Sequence, residues 1–383
     1  MNSKKAQISI IALFLVFTLT FSVMFFVSPK TKFSSAENRY LADAPVFSWD
    51  SFINGELSAS LEGDEGGYIP DYFPFRSFFV GVNSYWNYLT GATVSNGYYL
   101  SDDGYIIQKP YNPDGLASNL AVINSFAASF DEVMIMPIPS VGEMMSSKLP
   151  LVHAEYKDSQ VFDYIIKNKA DNLKLVDVRE SFGTAVVNGD QLYYRTDHHW
   201  TSLGAYLAYG YYCEQMGLEY VGKDEYTVSQ YPGFYGSTYS GSGYFLSSPD
   251  TLEIWENKDA KNSIKVTIKN GNESKVYNSM FFMDNLKEKD MYTAYLDGIQ
   301  PTVIIENSNA KTDKTLLIVK DSFAQCAAPF FAQTYSKVVM IDLRAQKGVS
   351  VSDLAKSEGV DDVLILYGVS ALSEVSYDFA WLE

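Results

Sequence analysis

The sequence has 383 residues, of which 47% are hydrophobic and 20% charged, a balance typical of a globular protein with a large buried core. Its formal net charge of −17 leaves no basic face to neutralise phosphates, which argues against nucleic acid as a partner. Two cysteines are too few for a disulfide scaffold, so we interpret Cys213 and Cys326 as buried free thiols in preference to a disulfide.

The N-terminal segment predicts a membrane anchor. Lys4 and Lys5 precede an uncharged run within residues 1–29, and about 20 apolar residues are enough to cross a bilayer. The lysines would stay on the cytoplasmic side, which gives a single-pass protein of the cell membrane with its domain on the extracytoplasmic side. Ser34-x-Ala36 resembles a signal-peptide cleavage site, so a secreted chain is the alternative. Its distance from the long apolar run favours the uncleaved anchor.

Residues 30–65 are polar and irregular, which predicts a tether. The domain is predicted for 66–383, where strands alternate with helices. Apolar residues at helical spacing predict helices over 77–90, 114–130, 158–170, 202–216, from about 322, and over 351–358. Short apolar runs predict buried strands over 132–139, 173–178, 315–319, 337–342 and 362–367. This alternation predicts an α/β fold whose mostly parallel sheet is covered on both faces.

Residues 224–310 break the alternation. They are rich in Tyr, Ser, Gly and Thr and contain short alternating segments such as 263–268. We predict a β-rich insertion of hairpins and loops within the same domain.

Two of the three histidines are adjacent, in Asp197-His198-His199-Trp200. In an extended backbone Asp197 and His199 face the same way, so the carboxylate would orient His199 as a general base while His198 points elsewhere. Trp200 would wall the site or pack beneath it. His153 is isolated and adjacent histidines generally diverge, so we expect no metal site. The serine chemistry considered below needs no organic cofactor.

The candidate nucleophile is Ser322, which follows a buried-strand pattern and opens a helix. Free N–H groups at a helix N-terminus can stabilise an oxyanion, and open α/β sheets place their sites at the carboxyl ends of strands. The alternative is that Ser322 only caps the helix. Ser322 would supply the nucleophile, and the Asp197–His199 pair would supply the general base that activates it.

The stretch from Tyr194 to Thr201, with Asp321-Ser322-Phe323, resembles the bacterial DHHW proteins, which are similar to the alginate O-acetylation proteins of the SGNH-hydrolase-like group. Three further motifs support the resemblance: Glu37-Asn38-Arg39, the segment 71–76, and Asp342-Leu343-Arg344.

The resemblance implies an SGNH-hydrolase-like α/β/α sandwich with a triad of Ser322, His199 and Asp197. The chain order reverses that of the usual SGNH enzymes, which is compatible with a triad because triads are defined by geometry. Lys320 stands where many such enzymes have glycine, and Tyr367-Gly368-Val369 provides no asparagine. The oxyanion donors beyond the Ser322 amide are therefore unassigned.

Other residues receive supporting roles. Trp200, Arg344 and Tyr194 are predicted to bind substrate, although a surface salt bridge is an equally good interpretation of Arg344. Asp321 is expected to cap the helix and take no part in the chemistry.

These features predict an extracytoplasmic serine-dependent O-acyltransferase or acylesterase that handles acetyl groups on cell-surface or exported polysaccharide. Because no cytosolic acetyl donor is available outside the cell, the resemblance suggests a membrane partner that delivers the acyl group. The alternative is a catalytically inactive carbohydrate-binding or assembly protein of the same fold, favoured by the unassigned oxyanion donors and the aromatic insertion.

Overall fold

The computed structural model describes residues 3–34, 36, 37, 39–63, 66–260, 262–346, 348–375, 379 and 382. Asn38 of the Glu37-Asn38-Arg39 motif lies outside the described residues, as does the residue between Ser34 and Ala36. The chain divides into two compact units, one of Met1–Asn96 with Ser240–Phe245 and one of Gly97–Tyr239 with Leu246–Glu383.

The first unit begins with a long apolar helix. Within Lys4–Val27 an 18-residue window has a mean hydropathy of 2.7 and contains no buried residue, so the helix is long and apolar enough to cross a membrane, as a signal sequence also is. The predicted tether is not wholly irregular, since it contains two short helices. The elements of this unit are α1 (Ser3–Val27), β1 (Phe33–Ser34), β2 (Arg39–Tyr40), α2 (Trp49–Ile53), α3 (Glu56–Glu62), α4 (Tyr68–Asp71) and α5 (Arg76–Leu89).

Two of the supporting sequence motifs meet in this unit as an ion-pair network. The Arg39 guanidinium donates to both oxygens of Asp71 and, through Nε, to Glu37 Oε2 at 2.9 Å. Arg76 Nε donates to the other Glu37 oxygen at 2.7 Å. Paired guanidinium–carboxylate contacts of this kind fix geometry, so the network ties β2 to the start of α5.

The second unit is built around an eight-stranded sheet in the order β10-β9-β11-β13-β12-β14-β5-β6. The chain's remaining strands are β3 (Tyr98–Leu100), β4 (Ile106–Gln108), β5 (Val133–Ile138), β6 (Leu173–Leu175), β7 (Tyr226–Phe234), β8 (Asp250–Asn257), β9 (Ile264–Asn270), β10 (Glu273–Tyr277), β11 (Thr302–Asn307), β12 (Thr312–Lys320), β13 (Tyr335–Asp342) and β14 (Asp362–Gly368). The five from β13 to β6 are parallel.

The remaining helices are α6 (Leu116–Ala127), α7 (Val141–Met144), α8 (Asp158–Asn168), α9 (Arg179–Val187), α10 (Ser202–Met216), α11 (Ser237–Ser242), α12 (Phe323–Thr334), α13 (Val351–Glu358) and α14 (Val369–Ser373). Leu317 and Val319 of β12 share one buried core with α6, α8 and α13. Leu316 and Ile318, also 0% exposed, alternate to the other face, where α12 packs. The prediction of a mostly parallel sheet in an α/β fold is confirmed.

The β-rich stretch predicted at 224–310 has two parts. β7 and β8 form a separate antiparallel pair. β9, β10 and β11 instead extend the main sheet, because β11 pairs antiparallel with β13. The sheet therefore has a parallel part, whose carboxyl ends face the site, and an antiparallel edge.

Candidate active site

Ser322 lies at the carboxyl edge of the sheet, directly after the central strand β12. Its side chain makes no capping bond to α12. Asp321 does that work instead, since its two carboxylate oxygens accept from the Phe323 N–H at 3.0 Å and the Gly368 N–H at 2.7 Å. The capping interpretation of Ser322 is thus wrong, and its hydroxyl is left available for another partner.

The second half of the site is a tight hairpin that leads into α10. Tyr193 and Trp200 pair as an antiparallel bridge, and Thr201 caps α10 by accepting from the Gly204 N–H at 3.3 Å. The Trp200 indole N–H donates to the Phe323 carbonyl at 3.0 Å. This bond holds the hairpin against the turn that carries Ser322, and the packing of α10 on α12 supports the same arrangement.

The three predicted catalytic side chains form a continuous hydrogen-bonded series. His199 Nε2 lies 2.6 Å from Ser322 Oγ, and His199 Nδ1 lies 2.6 Å from Asp197 Oδ1. A neutral imidazole that donates from Nδ1 to a carboxylate presents Nε2 as the acceptor of the serine proton. The distances match those of a nucleophile, its base and the group that orients the base.

The Asp197 carboxylate is buried but well satisfied. It also accepts from the His199 backbone N–H at 2.8 Å and from the Ser237 N–H at 2.6 Å. Burial alone would raise the pKa of Asp197, but the two adjacent imidazoles and the Ser237 N–H hold it well below its usual range. Asp197 is therefore ionised at neutral pH, as an orienting carboxylate must be.

Asp197 and His199 are in contact, as expected from the sequence, but the expected alternation along an extended strand is not the cause. Residues 195–199 form a series of bends and not a strand. Asp197 therefore contacts His199 within the same turn, where its Oδ1 accepts from the His199 backbone N–H and lies beside Nδ1 of the ring. His198 does not point elsewhere, because its ring centroid lies 3.8 Å from that of His199. Its Nδ1 lies 2.6 Å from Ser237 Oγ, which leaves it a supporting hydrogen-bonding role.

This supporting role predicts the behaviour of His198→Gln. Partial burial and the neighbouring His199 lower the pKa of His198 to about 4, against about 6.5 in the unfolded chain. Between these values the unfolded state binds a proton that the folded state does not, so acidification destabilises the parent. We expect the variant to lose less thermal stability between pH 6.5 and 4 in calorimetry, and to keep ester turnover. Turnover as low as that of His199→Ala would make His198 the base.

Two of the predicted substrate-binding residues are corrected by the structure. Trp200 is 0% and Tyr194 1% exposed, so neither surface is available to a substrate. Trp200 packs beneath the site, and the Tyr194 ring packs against Phe234. Arg344 is different: it donates through Nε and Nη2 to Asp342, at 2.9 and 2.6 Å, while 40% of its side chain stays exposed. The alternative salt bridge is present, and contact with substrate remains a prediction.

Several residues of the site had no sequence signal. The Tyr292 ring stacks on His199 with 4.1 Å between centroids and 9° between planes, and its hydroxyl donates to the Ser322 carbonyl at 3.2 Å. Asp250 accepts from the N–H groups of Arg195 and Thr196 at 3.0 and 2.8 Å, which shapes the turn before Asp197. Both come from the β-rich stretch.

The backbone of Gly236 lies so close to the Asp197 carboxylate that there is no room for a side chain. A Cβ there would lie 2.2 Å from Asp197 Oδ2 and 2.3 Å from its Cβ, closer than any real contact. We expect Gly236→Ala to displace Asp197 and lower kcat/KM for an acetyl ester on the order of 10²-fold, the usual effect of misplacing a catalytic group by about 1 Å. Gly183→Ala is the matched control, because a Cβ there meets nothing within 4 Å. Parent-like turnover in Gly236→Ala would contradict this role.

The ligand atoms of Asp197, His198 and His199 lie within 4.8 Å of one another, close enough to hold a metal ion. Both His199 nitrogens and both Asp197 oxygens already have hydrogen-bond partners. A metal would have to displace the contacts that join the three catalytic side chains, so we interpret this group as a proton-transfer site.

A cavity of about 210 Å³ lies beside the site, with His198, Phe323, Ser370 and Tyr156 among its lining residues. This is smaller than the usual pocket for a drug-sized ligand. A larger cavity of about 530 Å³ is lined by Trp255, and neither cavity has Asp197, His199 or Ser322 among its lining residues.

Comparison with known proteins confirms the resemblance found in the motifs. The family described as DHHW protein matches residues 164–341, which contain both Asp197–Trp200 and Ser322. A search of curated proteins gives no match.

Solved structures resemble most of the chain. A DHHW family protein from Eubacterium siraeum is 23% identical with a TM-score of 0.65, over 75% of this chain and 95% of that one. Bacillus cereus PatB1 with a sulfonyl adduct is 22% identical with a TM-score of 0.64, over 74% and 98%. A second PatB1 structure is 24% identical with a TM-score of 0.62, over 73% and 98%. These likenesses establish the fold, and the predicted SGNH-hydrolase-like architecture is confirmed.

Proposed function

We propose that this chain, which has the fold of the DHHW proteins and the motif for which they are named, is a serine-dependent O-acyltransferase or acylesterase. It would act outside the cytoplasm, held by α1 as a single-pass anchor, on acetyl groups of cell-surface or exported polysaccharide. One observation carries the proposal: Ser322 Oγ, His199 and Asp197 are joined by two hydrogen bonds of 2.6 Å. Nucleophile, base and orienting carboxylate are the parts that acyl transfer needs.

In the first half-reaction Ser322 Oγ attacks the acyl carbonyl carbon while its proton passes to His199 Nε2. Asp197 stabilises the imidazolium that forms. The tetrahedral oxyanion then collapses, the bond to the donor oxygen breaks, and His199 returns the proton to the departing alcohol. The acyl group is left as an ester on Ser322.

In the second half-reaction a sugar hydroxyl, or water in an esterase, attacks that ester. His199 takes the proton of the attacking hydroxyl and then gives it to Ser322 Oγ as the acyl bond breaks. A membrane protein that supplies activated acyl groups would be the partner in transfer, because the donor has to reach the outer side of the membrane.

The oxyanion has one clear donor. The Ser322 N–H has no hydrogen-bond partner among the described residues, whereas the Phe323 and Gly368 N–H groups are both occupied by Asp321. Because the Asp321 carboxylate accepts from the first N–H of α12, the Ser322 N–H is a donor that remains at this end of the helix.

A sulfonyl fluoride tests the nucleophile directly, and the sulfonyl adduct on PatB1 makes this reagent a natural choice. Attack by Ser322 Oγ on the sulfur would form a sulfonate ester, with fluoride leaving and the serine proton passing to His199. We expect mass spectrometry of the full chain in detergent to find one modification, on the peptide that contains Ser322. It should vanish in Ser322→Ala and persist in Ser370→Ala, whose serine lines the cavity beside the site. Equal labelling of all three would rule out Ser322.

The second candidate function is a carbohydrate-binding or assembly protein without catalysis, which the occupied Phe323 and Gly368 amides favour. Such a protein would bind immobilised polysaccharide, yet would neither hydrolyse a chromogenic acetyl ester nor react with the sulfonyl fluoride. Labelling of Ser322 would exclude it.

A further inference from the structure

Helix α5 in the first compact unit buries small and polar side chains and exposes its large apolar ones. Its inward positions include Gly81 and Ser84, both buried, while large apolar side chains point outward. A helix on the surface of a water-soluble domain has the opposite arrangement, with its apolar stripe toward the core.

The inward face is fixed by specific contacts within the unit. Ser84 Oγ donates to the Ser242 carbonyl at 2.8 Å and receives a hydrogen bond from Asn96 Nδ2 at 3.1 Å. A Cβ added at Gly81 would lie 3.1 Å from the Phe245 ring. Rotating α5 to bury its apolar side chains would break these bonds and this close packing.

The outward face is continuous and aromatic. Positions spaced by three and four residues lie on one side of a helix, and six such residues are exposed by 39% to 79% of their surface. We call this the α5 apolar face; it consists of Phe75, Phe78, Phe79, Val82, Trp86 and Leu89.

This face continues onto the N-terminal helix. The Phe21 ring of α1 lies 5.9 Å from the Phe79 ring and 5.4 Å, stacked, from the Phe73 ring. Phe21 is six residues before the end of α1 at Val27, which corresponds to about 9 Å of helix. If α1 crosses the bilayer with its lysines in the cytoplasm, α5 meets it just inside the outer boundary of the membrane.

We propose that the α5 apolar face lies in the outer interface of the lipid bilayer, with the helix in the membrane plane. The inference rests on the proposed anchoring by α1. Lipid is favoured over a partner protein because the face contacts α1, whose apolar 18-residue window contains no buried residue. Phe, Trp and Leu are the residues that interfacial helices insert, to about 5–10 Å below the headgroups.

The test uses the full chain in lipid nanodiscs, with an environment-sensitive fluorophore attached to Phe78→Cys. The native Cys213 and Cys326 are 0% and 1% exposed, so labelling is selective. Lipids that carry quenchers at different depths then locate the label. We expect Phe78→Cys, and independently Leu89→Cys, to be quenched from a depth of about 5–10 Å below the headgroups.

Two controls separate this inference from the anchoring. Leu13→Cys in α1 reports whether that helix is in the bilayer, and Lys174→Cys in β6 is the aqueous reference. Quenching at Leu13 without quenching at Phe78 and Leu89 would overturn the inference and leave the anchor intact. No quenching at Leu13, Phe78 or Leu89 would overturn both the anchoring by α1 and the interfacial position of α5. The ester and sulfonyl assays would still decide whether the chain is catalytic. Shielding of Phe78 in native membranes but not in pure nanodiscs would identify a protein partner and also overturn it.

Discussion

Ser322→Ala is expected to lower kcat/KM for a chromogenic acetyl ester on the order of 10⁴-fold or more, as removal of a serine nucleophile does. The structure gives the reason, because Ser322 Oγ is the atom within 2.6 Å of the imidazole that would take its proton. Initial rates should be measured on the full chain in detergent, with circular dichroism to show that the variant is folded.

Two companion variants make this result specific. His199→Ala should lose about as much activity as Ser322→Ala, and the double variant should be no worse than either, because residues that act as a unit are not additive. Ser370→Ala should retain parent activity. Full activity in Ser322→Ala would remove it as the nucleophile, and a double variant far worse than both singles would show two independent routes to turnover.

Asp342→Ala is expected to have the largest effect on stability, lowering the free energy of unfolding by about 3–5 kcal/mol. Lys320 points its ammonium at Asp342 Oδ2, 2.9 Å away, and the two side chains are 2% and 0% exposed. Without the carboxylate, the buried Lys320 ammonium loses the counter-charge to which it is hydrogen-bonded. Chemical denaturation of the full chain in detergent measures the loss.

Asp284→Ala is the matched control, since that carboxylate is 93% exposed and pairs with Lys287 on the surface. We expect it to leave the unfolding free energy unchanged. Burial would raise the pKa of Asp342, but Arg344 and Lys320 hold it below its usual value. Its contribution to stability is therefore present above about pH 4 and lost as pH falls through the lowered pKa. Equal effects of the two substitutions would mean that the buried pair does not stabilise the fold.

The alternating core was predictable because its signals are strong and local. The runs at 132–139 and 315–319 correspond to β5 and β12, and the helical spacing at 202–216 coincides with α10. Their residues are buried on both faces, so the apolar pattern is continuous. The pairing of β11 with β13 could not be predicted, because the apolar pattern of a strand does not specify which neighbour it pairs with.

The site was predictable where chemistry limits the choice of residue. Few side chains can serve as base or nucleophile, so Asp197, His199 and Ser322 stood out although 123 residues separate the last two. Gly236 and Tyr292 are not residue types that suggest a base or a nucleophile, so the sequence alone did not single them out. A glycine required by a neighbouring carboxylate, or a tyrosine stacked on an imidazole, is defined by tertiary contacts and not by any local pattern.

The hydrogen bond from the Gly368 N–H to Asp321 has a consequence for when activity can first exist. The turn that presents Ser322 is completed by a residue 47 positions later, at the end of the last strand, β14. A ribosome that has reached the serine has therefore made every catalytic side chain but not the turn that presents the nucleophile. Contacts this distant in sequence form late, so the nucleophile is presented only after the chain through Gly368 has been synthesised and folded.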